Sequence, residues 1–146
     1  MAILQKEIQN QIDTIIDEAY NEFSKNNHKK SFLKLSQALE LIPEPKEYFG
    51  ESFNVIKYII EDYLTLKDIQ NAKLWSNKIF VYGKNRVDSG EKELLMGKVF
   101  FESKEYDTAL EYFSVAFEKS SGREFEGEDP KYLELIKHPG NILKAK

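Results

Sequence analysis

The chain has 146 residues, contains no cysteine and carries a net charge of −4 at neutral pH. The absence of cysteine excludes disulfide bonds, thiolate metal sites and cysteine nucleophiles, and it fits a reducing compartment, so we expect a cytoplasmic location. The negative charge and the presence of only two arginines argue against direct nucleic-acid binding, which draws most of its free energy from neutralised phosphates. An acidic surface instead favours a basic partner.

The first twenty residues predict an amphipathic helix and not a signal peptide. Charged residues interrupt every apolar stretch there, whereas Ile8, Ile12 and Ile15 recur along one helical face. No later segment approaches the roughly 20 apolar residues that a helix needs to cross a bilayer. We therefore expect one domain over residues 1–146, with no part in a membrane.

Apolar periodicity and turn residues predict an all-α chain. Pro43 and the glycines between 83 and 90 mark two of its turns. Asp129 followed by Pro130 is a typical helix start, since aspartate caps exposed amides and proline suits the first helical position. Within residues 121–146 we expect a loop, this short capping helix and a flexible tail. The predicted helices cover approximately residues 3–26, 28–42, 46–66, 69–83, 90–103, 106–120 and 130–137.

Residues 95–119, LMGKVFFESKEYDTALEYFSVAFEK, have the pattern of two helices that pack closely. Gly97 and Ala109 are twelve residues apart, and the same spacing separates Ala19 from Ser31. Small residues at such positions allow two helix backbones to approach each other. Ala72 anchors a more divergent copy between them, 41 residues after Ser31 and 37 residues before Ala109. These spacings predict three degenerate helix pairs.

This pattern resembles the tetratricopeptide repeat (TPR), a family of stacked helix pairs with a period near 34 residues. The resemblance implies a right-handed stack of about three antiparallel helix pairs, a TPR-like α-solenoid, that ends in a short C-terminal capping helix. It also implies that the first helix of each pair lines a concave, partner-binding surface. Three sets of aligned positions should then face the partner: Asp13, Asn54 and Glu91; Ile16, Lys57 and Leu94; Tyr20, Glu61 and Lys98.

No catalytic or cofactor-binding constellation is recognisable in the sequence. His28 and His138 fall in predicted turns near opposite ends of the chain, without an obvious triad partner. Glu61 and Asp62 are adjacent carboxylates, but carboxylates on amphipathic helices normally form a solvated face, so a hydrolase built on them is the disfavoured alternative. No phosphate-binding glycine motif or EF-hand loop occurs. We therefore expect no enzymatic activity, no cofactor and no metal.

The segment SSGREFEGEDPKYLELIKHP, residues 120–139, is similar to the endings of small bacterial TPR-like proteins that accompany toxin genes. This resemblance implies a noncatalytic immunity protein that binds and neutralises a cognate toxin domain. A basic toxin domain such as a nuclease would complement the acidic chain electrostatically. The alternative is a TPR-like scaffold or regulatory adaptor that binds a host protein or peptide. Both interpretations predict an exposed groove.

Overall fold

The computed structural model describes residues 2–84, 86–87 and 89–143. Within these ranges the regular elements are helices, apart from an isolated bridge between Ala2 and Phe49, so the predicted all-α class is confirmed. Short 3-10 turns cover Lys46–Tyr48 and Arg123–Phe125. The α-helices are α1 Lys6–Ser24, α2 His28–Leu41, α3 Gly50–Thr65, α4 Ile69–Ser76, α5 Ile79–Tyr82, α6 Glu91–Glu102, α7 Tyr106–Ser120, α8 Pro130–Lys137 and α9 Pro139–Leu143.

Neighbouring helices pack in pairs, with the most extensive contacts between α1 and α2 and between α6 and α7. The small residues lie at the closest approaches, as their twelve-residue spacing predicts. Ser31 Oγ donates a buried hydrogen bond of 2.7 Å to the carbonyl of Ala19. Gly97 lies so close to the ring of Phe113 that a methyl group added there would overlap it. The first contact thus uses a small polar side chain, and the second depends on the absence of one.

The apolar core runs through the stack as three successive clusters. Ile12 and Ile59 belong to the first, and Phe53 belongs to the second. Tyr63 packs against both, which joins them without a polar gap. The third cluster is centred on Phe113 and joins α6 and α7 to the C-terminal elements. Each helix pair therefore buries part of its apolar face against the next pair.

Two predicted helices differ from those observed, because tertiary contacts and hydrogen bonding change where they begin and break. The third helix begins at Gly50 and not near 46, since Lys46–Tyr48 forms a 3-10 turn and Phe49 is extended. The single helix predicted over 69–83 is two helices. The amide of Lys78 bonds to the carbonyl of Trp75, three residues back, so the α-helical pattern is interrupted there.

The C-terminal elements cover the end of the last helix pair. Asp129 caps α8, because its carboxylate accepts a 3.0 Å hydrogen bond from the amide of Lys131, and Pro130 occupies the first turn as predicted. Tyr132 and Leu135 of α8 are buried in the third cluster. Residues 139–143, in the expected flexible tail, form α9, and residues 144–146 lie outside the described residues. None of the described helices is long and apolar enough to cross a membrane.

Candidate partner-binding surface

Helix α3 presents one set of side chains to α1 and another set to α6. Each of these three helices is the first helix of a predicted pair. Tyr58 and Asp62 line a groove that α3 forms with α1. Lys57 and Glu61 instead face α6 and the C-terminal loop. Of the nine residues that the sequence nominated for partner binding, two line an open groove, five belong to a polar network between α3 and α6, one is in the core and one is exposed outside the groove. We call these the α1–α3 groove and the α3–α6 network.

The α3–α6 network ties the two helices and a loop together through Glu91. One carboxylate oxygen of Glu91 lies 3.1 Å from Lys57 Nζ, and the other lies 2.9 Å from Arg86 Nη1. Arg86 Nη2 also donates to Asn54 Oδ1 at 2.9 Å. Arg86 thus bonds to both Asn54 and Glu91, and Glu91 also pairs with Lys57, so these residues present little unpaired charge to a partner.

Lys98 is the second centre of the network. Its Nζ lies 3.2 Å from a carboxylate oxygen of Glu61 and 2.9 Å from one of Glu128, and only 11% of its side chain is exposed. Glu128 reaches it because Phe125, three residues earlier, is anchored in the core. These three side chains line a space of about 40 Å³ with Glu91, and they also border an open cleft of about 530 Å³ that extends to Tyr132. The C-terminal loop therefore covers the predicted concave surface around Leu94, whereas Glu61 and Lys98 still border the open cleft.

Leu94 also differs from the expectation that it faces a partner. It is only 6% exposed and packs in the third core cluster with Phe113. The C-terminal elements bury it, because they lie against the face of α6 that a simple stack of helix pairs would leave open. Leu94 and Lys98 thus offer almost no surface for binding in this structure.

The α1–α3 groove has a volume of about 380 Å³ and remains open. Ile16, at its wall, and Tyr20, which is 73% exposed, are the nominated residues that line it. Asp13 is exposed one to two turns before them on α1, where it accepts a hydrogen bond from Gln9. The other groove residues are Asp17, Ala19, Phe23, Leu35, Tyr58 and Asp62.

Six of the eight groove residues were absent from the nominated set, among them the polar Asp17, Tyr58 and Asp62. The alignment of the repeats selected Lys57 and Glu61 instead. Each directly precedes Tyr58 or Asp62 in the sequence, so it lies about 100° away from that residue around the helix axis. The four-residue spacings of Tyr58 to Asp62 and of Ile16 to Tyr20 were available signals, since residues four apart share a helical face. Which of two adjacent faces stays open depends on the C-terminal loop, and the helical period does not contain that information.

Asp62 is a partly buried carboxylate without a counter-charge. Burial, with a smaller contribution from the neighbouring charge of Glu61, raises the pKa of Asp62 to about 6. In the part of the chain that the structure describes, its carboxylate forms no hydrogen bond and no ion pair. Lys57 of α3 and Lys34 of α2 are paired with other carboxylates, Lys57 with Glu91 and Lys34 with Glu18 at 3.6 Å. Asp62 therefore leaves a negative charge unneutralised in a groove with aromatic walls.

Replacing Asp62 with asparagine is expected to raise the free energy of unfolding at pH 8 by about 1 kcal/mol, and by much less at pH 4. Since the folded pKa of about 6 exceeds the ordinary value of 3.8, ionisation of Asp62 costs stability. That cost is absent below pH 4, develops as the pH rises towards 6 and is complete above it. The figure allows for screening by water, because Asp62 is only partly buried.

Urea unfolding at the two pH values measures this difference. Glu111→Gln on the exposed side of α7 is the matched control, and it should change stability little at either pH. An equal effect of Asp62→Asn at pH 4 and pH 8 would contradict the assignment of an uncompensated carboxylate.

The adjacent carboxylates Glu61 and Asp62 face different sides of α3. Glu61 is paired with Lys98, whereas Asp62 lines the groove on the other side of α3. His28 begins α2 and packs against the ring of Phe23 at 4.6 Å. Among the described residues, no group of three or more His, Asp or Glu side chains is placed to hold a metal ion. Comparisons with protein-family models, with curated proteins and with solved structures found no match to this chain.

Proposed function

We propose that the chain is a noncatalytic protein-binding module with a TPR-like, right-handed stack of about three helix pairs, and that it acts in the cytoplasm as a bacterial immunity protein. In this role it binds a cognate toxin domain and covers the toxin's active or substrate-binding surface. The observation that carries the proposal is the open α1–α3 groove, where exposed Tyr20 and Tyr58 lie with the unpaired carboxylate of Asp62.

Aromatic side chains and unpaired charge are the features that support protein binding here. Tyrosines are enriched among residues that contribute most to protein interfaces, because they bury a large area with few rotatable bonds. Tyr20 and Tyr58 are 73% and 40% exposed, so a partner can bury much of both. The carboxylates and the net charge of −4 favour a basic partner, such as a nuclease toxin domain, and accelerate its encounter with the chain.

Coexpression with the product of the adjacent gene tests the proposal. We expect the two proteins to elute as one complex in gel filtration, and we expect this chain to suppress the toxicity of its partner. Tyr20→Ala should weaken the complex at least tenfold, since truncation of a central interface tyrosine typically costs more than about 1.4 kcal/mol. Leu33→Ala is the matched control, because Leu33 is 58% exposed on α2 and lies outside the groove.

Separate elution of the two proteins, with toxicity unchanged, would refute the immunity role. A complex that Tyr20→Ala and Leu33→Ala weaken equally would show that the partner binds elsewhere.

The second candidate is a scaffold or regulatory adaptor that binds a host protein or peptide. It is favoured by exposed apolar side chains on α4 and α5, where Leu74 is 60% exposed, Phe80 41% and Val81 51%. These residues lie outside the α1–α3 groove and could hold a second protein at the same time. Affinity purification from the native organism separates the two candidates: a single basic toxin domain supports the immunity protein, and a multiprotein assembly supports the scaffold.

A further inference from the structure

We propose that the α1–α3 groove receives an arginine side chain of the partner, with the guanidinium on the Asp62 carboxylate and against the rings of Tyr20 and Tyr58. This inference rests on the proposed function only in taking the partner to be a protein. It specifies the chemical group that the groove recognises.

The size and lining of the groove fit one inserted side chain. Its volume of about 380 Å³ lies near the lower end of the range for ligand pockets, roughly 300–1,000 Å³. Ile16, Ala19 and Leu35 give it an apolar wall, against which the methylene stem of a long side chain can pack. The carboxylate of Asp62 and the two tyrosine rings provide the polar and aromatic contacts for the end of that side chain.

Charge complementarity selects a cation. Asp17 and Asp62 both line the groove, and within the described residues neither forms an ion pair. Lys34 of α2 and Lys57 of α3 are each paired with another carboxylate. A cation that enters the groove therefore meets negative charge without displacing a cation of this chain.

The aromatic walls select a guanidinium over an ammonium. A guanidinium is planar, stacks on aromatic faces and matches a carboxylate with two parallel hydrogen bonds. A guanidinium is also more weakly hydrated than an ammonium, so it loses less hydration free energy when it enters a partly apolar groove. Tyr20 and Tyr58 supply the faces, and Asp62 supplies the carboxylate.

Binding of arginine should then depend on pH through Asp62. The titratable groups that line the groove with it are Asp17 and Tyr20 from α1 and Tyr58 from α3, while α2 contributes only the apolar Leu35. Glu61 is the neighbouring charge that acts on Asp62. With a pKa of about 6 in the free protein, Asp62 is about nine-tenths protonated at pH 5. We expect the affinity for arginine to be about tenfold lower at pH 5 than at pH 7.5.

Titration of the isotopically labelled full chain with the peptide acetyl-Gly-Arg-Gly-amide tests the inference by nuclear magnetic resonance. At pH 7.5 we expect saturable shifts of the amides around Tyr20, Tyr58 and Asp62. The lysine peptide should bind at least threefold more weakly, and the peptide with neutral citrulline should cause no saturable shift. Asp62→Asn should abolish binding of the arginine peptide, whereas Glu111→Gln on α7 should leave it unchanged.

Equal binding of the arginine and lysine peptides would overturn the assignment of a guanidinium. Equal binding of the citrulline peptide, or shifts confined to other surfaces, would overturn the role of Asp62 and of the groove. The peptide titration does not use the toxin, so the two proposals can fail separately. A toxin complex that depends on Tyr20, with no arginine binding, rejects this inference alone, and arginine binding without any toxin complex rejects the immunity role alone.

Discussion

Replacing Phe113 with alanine is expected to lower the free energy of unfolding by about 3–5 kcal/mol, the usual range for a fully buried phenylalanine. Phe113 is 0% exposed, and its ring lies 5.6 Å from that of Phe125 and 5.4 Å from that of Tyr132. It also fills the space above Gly97. The cavity left by its removal is bounded by several elements, so collapse of one of them would not fill it. Urea unfolding measures the change.

Phe117→Ala on the same helix is the matched control. Phe117 is 38% exposed and contacts the ring of Phe125 at 6.1 Å. We expect Phe117→Ala to lower the free energy of unfolding by about 1 kcal/mol or less, because much of the Phe117 side chain remains in water in the folded state. If the two substitutions cost the same, Phe113 is not at the centre of the last helix pair.

Replacing Lys98 with methionine is expected to lower the free energy of unfolding by about 2–3 kcal/mol. The change removes the cation that holds Glu61 and Glu128 together and leaves two partly buried carboxylates near each other. Loss of one member of a buried ion pair typically costs about 3–5 kcal/mol, and the partial exposure of both glutamates reduces this figure. Hydrogen exchange should become faster around Glu128, because the loop loses its ion pair with α6.

A double substitution separates the charge from the packing of the lysine stem. Lys98→Met combined with Glu128→Gln should recover more than half of the lost stability, since it removes the repulsion that the single substitution creates. Lys131→Met is the control, because Lys131 pairs with Glu102 at 2.6 Å but its side chain is 43% exposed. We expect this substitution to lower the free energy of unfolding by less than about 1 kcal/mol. A Lys98 variant as stable as the Lys131 variant would show that the loop does not depend on this ion pair.

The helical parts of the chain could be predicted because their signals are local. Apolar residues on one face, small residues twelve apart and the Asp129-Pro130 start all act within a few turns of helix. The buried hydrogen bond from Ser31 to Ala19 confirms the contact between the first two small residues, whereas Gly97 contacts Phe113, one turn after Ala109. The break at Lys78 and the start of α3 at Gly50 were missed, since both depend on local hydrogen bonding that apolar periodicity does not report.

By itself, the sequence determined that the chain is all-helical, where most helices lie and which residues bring paired helices together. Only the tertiary structure decided which charged residues are free to bind. Lys98 meets Glu128 from a segment 30 residues later, whereas Asp62 lines the open groove without a counter-charge. The free energy of each charge depends on its burial and on counter-charges brought near it by folding. Helical periodicity places a side chain on a face, but it does not say what covers that face.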